Sequence, residues 1–337
     1  MAESFSLDAA DLAATEAFGR RLAGLLFPGA VVALVGTLGA GKTHLVRRLL
    51  RADAERGIGA LVIDPEAEYR DLCEEVGGQW VDLALGSGHS VNVLDADLAA
   101  LGERDPAGDQ ASDLLDLLGA MCGALSEDER ADVDEALGPL LGTPGATLAT
   151  LRADLDRRDL APRVARGLRR WTQGQLGQMF AAPSNVDLRS PFTVFGLRDV
   201  KEEFLPVVYF VIAQWIWCRV RAERRQRRLV FDEVGLLVEH DLVRRFLVRL
   251  ARRVRKYDGS LCLVTQNAGD LLASDQGLVL ATNPSTLLLG AQRQAEALRM
   301  QRAYGLTDSQ VAFLASARRG QFLLLAGDSR HRLRVLG

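Results

Sequence analysis

Lysine is nearly missing from this chain. Of 41 basic residues only Lys42, Lys201 and Lys256 are lysines, so arginine carries the positive charge and each lysine draws attention. Cysteine is also sparse: Cys73, Cys122, Cys218 and Cys262 lie more than forty residues apart, with no CxxC pair. That spacing excludes a zinc ribbon and a disulfide framework and predicts reduced, buried thiols of a cytosolic protein. The opening MAESFSLDAADLAA is acidic and has neither the basic start nor the apolar core of a signal peptide. The most apolar stretch, Phe204 to Cys218, is interrupted by Pro206 and Gln214, short of the roughly 18 to 20 apolar residues of a membrane span. No span is expected.

A global charge excess is absent too. Forty-one bases against 44 acids leave a net charge of -3, which gives no overall argument for nucleic acid. The charges are polarised along the chain: residues 101–160 hold 14 acids and 5 bases, residues 161–260 hold 20 bases and 10 acids. With 337 residues, 48% apolar and 25% charged, the balance is that of a globular protein of one large domain or two.

Apolar residues at helical spacing (Leu12, Ala13, Phe18, Leu22, Leu26) predict a helix from Leu7 to Leu26, stopped by Pro28-Gly29 before the strand-like run Ala30 to Val35. Short apolar runs recur at Ala60 to Ile63, Phe192 to Phe195, Leu229 to Phe231, Leu261 to Val264, Thr286 to Leu289 and Phe322 to Leu325. Their length suits strands of a mostly parallel sheet covered on both faces, an α/β fold. Between Ala96 and Asn185 no such run occurs, only Leu/Ala/Asp/Glu-rich segments punctuated by Gly138-Pro139 and Pro144-Gly145. The expected organisation is a core of residues 1–96 and 186–337 with an all-α insertion at 97–185.

Gly36-Thr37-Leu38-Gly39-Ala40-Gly41-Lys42-Thr43 fits GxxxxGK[ST], follows a strand run and precedes the helical pattern Leu45, Val46, Leu49, Leu50. In such a loop the backbone N–H groups and the helix N-terminus face phosphates, the lysine reaches the β and γ oxygens, and the Thr43 hydroxyl ligates magnesium. The loop and the following His44 are the expected nucleotide contacts. Asp232 and Glu233 end the run Leu229-Val230-Phe231, where Asp232 would hold the metal through water and Glu233 would polarise the attacking water. Gln266, at the end of Leu261 to Thr265, is placed to sense the γ-phosphate. Asp64 or Glu68, just past Ala60 to Ile63, could reach the metal-phosphate site. Capping of a helix by Asp64, with Pro65 at its first position, explains the same residues equally well.

Two arginine clusters remain, Arg219, Arg221, Arg224, Arg225, Arg227 and Arg228, then Arg244, Arg245, Arg249, Arg252, Arg253, Arg255 and Lys256. Residues 245, 249, 252 and 256 share one helix face. A solvated face, a nucleic-acid surface and an arginine offered to a neighbouring subunit's nucleotide are the three readings. Only Phe246 and Tyr257 are nearby aromatics for base stacking.

Together the segments VVALVGTLGAGKTHLVRRLL, ALVIDPEAEYRDLCEEVGGQWVDL, SVNVLDAD, FTVFGLRDV, RRLVFDEVGLLVE, LVRLARRVRKYDGSLCLVTQNAGDLLAS and LATNPSTLLLGAQ resemble the ATPase domain of VirB-four/TraC-type motors of type IV secretion and conjugation. The resemblance implies a three-layer RecA-like P-loop ATPase of the FtsK/HerA superfamily, using ATP and Mg2+. It also implies a homo-oligomer, a hexamer, cytoplasmic or peripheral at the inner membrane and partnered by secretion-channel components. By it Lys42 and Thr43 are Walker A, Asp232 and Glu233 Walker B, Gln266 the strand-end sensor, and Arg255 in Arg-Lys-Tyr the arginine finger. Family members carry a large N-terminal docking domain. Here about thirty residues precede the run at Ala30, as in an excised motor domain, a minimal homologue or a recombined sequence. The segment TEAFGRRLAGLLFPGAVVALVGTLGAGKTHLVRRLL is also similar to TsaE, an ATPase of tRNA threonylcarbamoylation, and a DNA translocase of the FtsK/HerA type is the main functional alternative. A nucleotide-binding assembly subunit that hydrolyses little is a third.

Overall fold

The computed structural model describes residues 6–8, 17–20, 22–23, 26, 30–95, 106–187, 190–236, 238, 240–266, 268–272 and 275–335. The chain divides into two compact units: Met1–Gln79 with Ser190–Val194 and Arg225–Gly337, and Trp80–Arg189 with Phe195–Arg224.

The first unit is built on a mostly parallel sheet. Its strands are β1 (Ser6–Asp8), β2 (Val31–Val35), β3 (Gly59–Asp64), β5 (Phe192–Gly196, of which the first three residues belong here), β6 (Arg227–Phe231), β7 (Gly259–Thr265), β8 (Thr286–Leu289), β9 (Gln321–Ala326) and β10 (Ser329–Arg334). They follow the order β1-β10-β9-β8-β2-β7-β6-β3-β5. Every apolar run picked out in the sequence is a strand, and β2, β3, β6 and β7 are buried along their whole length. Continuous rather than alternating apolar sequence is what strands buried on both faces require. Because β8, β2, β7, β6 and β3 pair in parallel, their carboxyl ends lie on one edge. The candidate site residues sit just past those ends.

Two features of this unit depart from the sequence reading. Ser6–Asp8, of which Leu7 and Asp8 were expected to open the first helix, is a strand paired in parallel with β10. One apolar residue in three carries no periodic signal, and the backbone pairing that fixes the segment comes from the far end of the chain. The described residues 17–20 and 22–23 are helical, with Phe18, Leu22 and Leu26 buried as expected, whereas Leu12, Ala13 and the Pro28-Gly29 stop lie outside the described residues. Strand β10, Ser-Arg-His-Arg-Leu-Arg, was not foreseen because its side chains are mostly polar. It pairs antiparallel with β9, itself antiparallel to β8.

The second unit is largely helical: Pro106–Cys122, Glu127–Leu137, Leu148–Arg158, Pro162–Thr172, Gly174–Phe180 and Leu205–Ala222. Strand β4 (Gln79–Asp82) begins at its boundary. The residues linking β4 to the first of these helices include 96–105, which lie outside the described residues, as does the expected boundary at 96–97. A reciprocal capping box at Ser126/Glu129 starts the helix Glu127–Leu137, which Gly138 ends, and a second at Thr147/Thr150 starts Leu148–Arg158. Arg163 ties this bundle by donating to both Glu129 carboxylate oxygens at 2.7 Å and to the Cys122 and Ala124 carbonyls at 2.7 and 2.9 Å. Leu205–Ala222 corrects the reading of the apolar stretch. Pro206 stands in its first turn, where a missing N–H costs nothing, so it opens the helix rather than breaking it. Residues Glu202–Ala222 are long and apolar enough to cross a membrane, at a mean hydropathy of 1.3, but 78% of that stretch is buried inside the chain. Trp215 meets Phe195 edge-on at 5.6 Å, consistent with a core helix. All four cysteines are free.

Candidate functional site

At the carboxyl edge of the first unit's sheet, β2 runs into the glycine-rich loop and then the helix Lys42–Glu55. The loop is pinned from two sides. The Gly36 N–H donates to the Thr265 carbonyl at the end of β7 (3.2 Å), and the Thr37 N–H donates to Ala291 just past β8 (2.9 Å). Glycine at 36 lets the loop pack closely, since a Cβ there would stand 3.1 Å from the Ala40 Cβ and 3.2 Å from the Gly290 Cα and would push those neighbours aside. Gly41 caps the helix at φ 93°, a left-handed conformation that an L side chain resists. Leu38, at the loop tip, is 81% exposed.

Lys42 is buried and its Nζ reaches back across the loop, donating to Gly36 O at 2.6 Å and Thr37 O at 3.3 Å. Burial lowers its pKa, an effect opposed by the charges of Glu233, Asp232 and Glu68. The Thr43 hydroxyl donates to Glu68 Oε2 at 2.5 Å. His44 accepts a hydrogen bond from Arg48 at 3.5 Å, and burial together with Arg48, Arg319, Arg47 and Arg51 lowers its pKa, keeping it neutral.

Past β6, Asp232 is buried, with Oδ2 accepting from the Tyr69 hydroxyl at 2.8 Å and Oδ1 from the Glu233 N–H at 2.8 Å. Burial pushes its carboxyl up to about 7, against the hydrogen bond from Tyr69. Glu233 holds a left-handed φ of 50°, a strained conformation of the kind that persists where surrounding structure fixes a functional side chain. Its Oε1 accepts from Gln266 Nε2 at 2.6 Å, and burial raises its pKa against that bond and the Lys42 charge. The structure therefore gathers Lys42, Thr43, Asp232, Glu233 and Gln266 along one edge.

Asp64 and Glu68 take different parts. Asp64 is fully buried and accepts the Glu68 and Tyr69 N–H groups at 3.1 and 2.9 Å, with its carboxyl raised by burial to about 6. It closes the turn after β3, and the helix begins only at Arg70, not at Pro65. Glu68 is the one that meets the loop threonine. Tyr69 was missed: fully buried, it holds Asp232 from a turn 163 residues away. Its phenol pKa is pushed well up by burial and by Asp232, so it stays a donor.

Arg255 lies elsewhere. It is exposed on the 3-10 turn Val254–Tyr257, which leads into the amino end of β7, whereas Gln266 follows the carboxyl end. At about 3.3 Å per residue, the seven residues of β7 put roughly 23 Å of strand between the two. Arg245, Arg249 and Arg252 form an exposed face of the helix Asp241–Arg253, whose Val243, Phe246, Leu247 and Leu250 face inward. Half of the first arginine cluster is interior: Arg221, Arg227 and Arg228 are buried, whereas Arg224 and Arg225 are exposed. Arg228 donates to both Asp53 carboxylate oxygens at 2.8 and 3.0 Å and to the Ser260 hydroxyl at 2.8 Å. This ties the far end of the loop helix to the start of β6.

Beside the loop opens a cleft of about 670 Å³ lined by Thr37, Leu38, Gln266, Gln292, Arg293 and Glu296. Among the described residues no group of three or more His, Cys, Asp and Glu forms a metal cage. A hydroxyl and one or two carboxylates beside a phosphate cradle instead form the hard-oxygen set that suits magnesium, which keeps several waters and shares substrate phosphates.

A parallel strand feeding GxxxxGKT, with Asp-Glu on a second strand and Gln on a third, defines a RecA-like P-loop ATPase fold. Among family models, the TraG P-loop domain matches residues 166–321, and threonylcarbamoyl adenosine biosynthesis protein TsaE matches residues 9–59. Protein TraC of Escherichia coli (strain K12) is 29% identical over 261 residues, 71% of this chain and 29% of TraC. The structure of VirB4 of Thermoanaerobacter pseudethanolicus superposes with a TM-score of 0.81 at 26% identity, covering 91% of this chain and 89% of the other. Plasmid coupling protein TrwB, in complex with ADP and Mg2+, shares the fold at a TM-score of 0.60 and 15% identity, covering 94% and 86%. The chain is homologous to TraC and VirB4, as the resemblance in its sequence implied. It spans 29% of the length of TraC.

Proposed function

We propose that this chain is the ATP-hydrolysing motor domain of a type IV secretion or conjugation system. The observation that carries the reading is the convergence of Lys42, Thr43, Asp232, Glu233 and Gln266 on one sheet edge, in a chain homologous to TraC and VirB4. The loop N–H groups and Lys42 bind the triphosphate. Thr43 and Asp232, with Glu68 beside them, would hold Mg2+, which supplies positive charge to the β and γ oxygens. Glu233 takes a proton from water as the water oxygen bonds to the γ-phosphorus, and the bond from that phosphorus to the β,γ-bridging oxygen breaks, releasing ADP and phosphate. The raised pKa of Glu233 makes it a better base than an exposed carboxylate.

Arg255 is too far across the sheet to serve its own chain's nucleotide, which supports a role in trans within a homo-oligomer, a hexamer by analogy with the family. The partners are then channel components on the cytoplasmic side of the inner membrane. The exposed arginines of Asp241–Arg253 favour one competing reading, a translocase that tracks DNA phosphates. Turnover per subunit across a protein concentration series, with and without DNA at two salt concentrations, separates the two. The motor reading expects turnover that rises with concentration, is indifferent to DNA, and is abolished by Arg255→Ala with ATP binding retained. Stimulation by DNA that fades with salt supports the translocase instead.

A further inference from the structure

The loop that cradles phosphates is fastened at its first two residues, and each fastening point is followed by a glutamine. Gly36 donates to Thr265, whose neighbour is Gln266, and Thr37 donates to Ala291, whose neighbour is Gln292. Both side chains line the same cleft of about 670 Å³, together with Thr37 and Leu38 of the loop itself. Gln266 spends its amide on Glu233. Gln292 does not. It is only 5% exposed, yet neither Nε2 nor Oε1 has a hydrogen-bond partner among the described residues. Its backbone is held, the N–H donating to Leu314 O at 3.0 Å, so the side chain is presented from a fixed point.

A buried amide with no partner is destabilising, and an apolar side chain of similar length would avoid that cost. Lining an open cleft beside the loop, the Gln292 amide is available to a ligand there. The cleft opens on the loop's first turn, one residue from the bond that fixes Thr37, and beside the glutamine that touches Glu233. A group arriving there on the loop is rich in acceptors and poor in donors, which matches the Nε2 donor. The carbonyl Oε1 cannot pair with a phosphate but accepts from a water lying against it.

We propose that Gln292 binds the terminal phosphate of a nucleoside triphosphate held on the loop, and so distinguishes the triphosphate from the diphosphate. The proposal rests on the reading of the loop as an ATP site and adds a second phosphate-reading glutamine to Gln266. Gln292 immediately precedes Arg293, the N-cap residue of the helix Gln294–Tyr304, so occupancy of the phosphate would be felt at the start of that helix.

The test measures equilibrium affinity for a non-hydrolysable ATP analogue and for ADP, both with Mg2+, in the wild-type chain and in Gln292→Met, Gln292→Glu and Lys42→Ala. A hydrogen bond to a charged group is worth about 1.5–3 kcal/mol, so Gln292→Met should lose roughly 10- to 100-fold for the triphosphate analogue. ADP affinity should stay within about twofold, the size of a contact neither made nor lost. Gln292→Glu, which sets a carboxylate against the phosphate, should lose more for the triphosphate and also spare ADP. The nucleotide-free Gln292→Met protein should melt no lower than wild type, because no internal hydrogen bond is removed. Equal losses for both nucleotides would overturn the proposal and assign Gln292 to the base or sugar, and an unchanged ratio, or a lowered melting temperature with normal binding, would make it structural. If Lys42→Ala leaves both affinities intact, the ATP-site reading itself fails. If Lys42→Ala abolishes binding while the Gln292 variants keep the wild-type ratio, only the glutamine's role does.

Discussion

Arg228 and Asp53 are the most deeply buried ion pair described, 1% and 0% exposed, and they join the helix that follows the phosphate loop to the strand that carries Asp232. Replacing Arg228 by methionine leaves the Asp53 carboxylate in the interior without its counter-charge. Removing one partner of a buried pair costs about 3–5 kcal/mol. At roughly 2–4 °C per kcal/mol for a unit of 150–250 residues, the melting temperature of Arg228→Met at pH 8 should fall on the order of 10 °C. The pH dependence follows from the sign of the shift. Burial already raises the pKa of Asp53 against the opposing charge of Arg228, and without that charge it rises further. A carboxyl whose folded pKa exceeds its unfolded value favours the folded state below the unfolded pKa and loses that contribution as pH rises through the folded one. The deficit should therefore be largest at pH 8 and shrink toward pH 5, where Asp53 takes up a proton. Arg228→Met combined with Asp53→Leu removes both charges and should recover most of the loss. Differential scanning fluorimetry at pH 5 and pH 8 on the three proteins is sufficient. A single variant within about 1 kcal/mol of wild type at pH 8, or a double variant no better than the single, would refute the reasoning.

Tyr69→Phe removes the hydroxyl that orients Asp232 and should weaken Mg2+-dependent turnover by about tenfold, the worth of a hydrogen bond to a charged group, while nucleotide binding without the metal is unchanged. A magnesium titration of activity checks it, and an unaltered midpoint and maximum would count against it. Asp232→Asn should stabilise the nucleotide-free protein at pH 8 more than at pH 5 while eliminating turnover. The wild-type carboxyl, raised to about 7 by burial, favours folding below its unfolded pKa and loses that contribution as pH rises through 7. Equal melting shifts at the two pH values would contradict that account.

Much of this was legible because the relevant signals are contiguous. The glycine loop, the strand before it and the Asp-Glu pair after β6 are each local patterns, and parallel burial writes its strands as unbroken apolar runs. Tyr69 and Gln292 were not legible. Each draws its meaning from residues far away in the chain, Asp232 for the tyrosine and the Thr37–Ala291 bond for the glutamine. Arginine count misled at Arg221, Arg227 and Arg228, since composition cannot tell a solvated guanidinium from one buried against Asp53. Polar β10 and the three-residue β1 were hidden for the opposite reason, since edge pairing uses backbone bonds that leave little trace in side-chain pattern.

The central claim is that Glu233 activates water on an ATP held by Lys42 and the loop. Single-turnover hydrolysis and ATP binding, measured together on the wild-type chain, Glu233→Gln and Lys42→Ala, test it most directly. The account predicts that Glu233→Gln binds ATP with near wild-type affinity but hydrolyses it at least 100-fold more slowly, the lower range of a general base's contribution, and that Lys42→Ala loses binding as well. Hydrolysis by Glu233→Gln at the wild-type rate would contradict it.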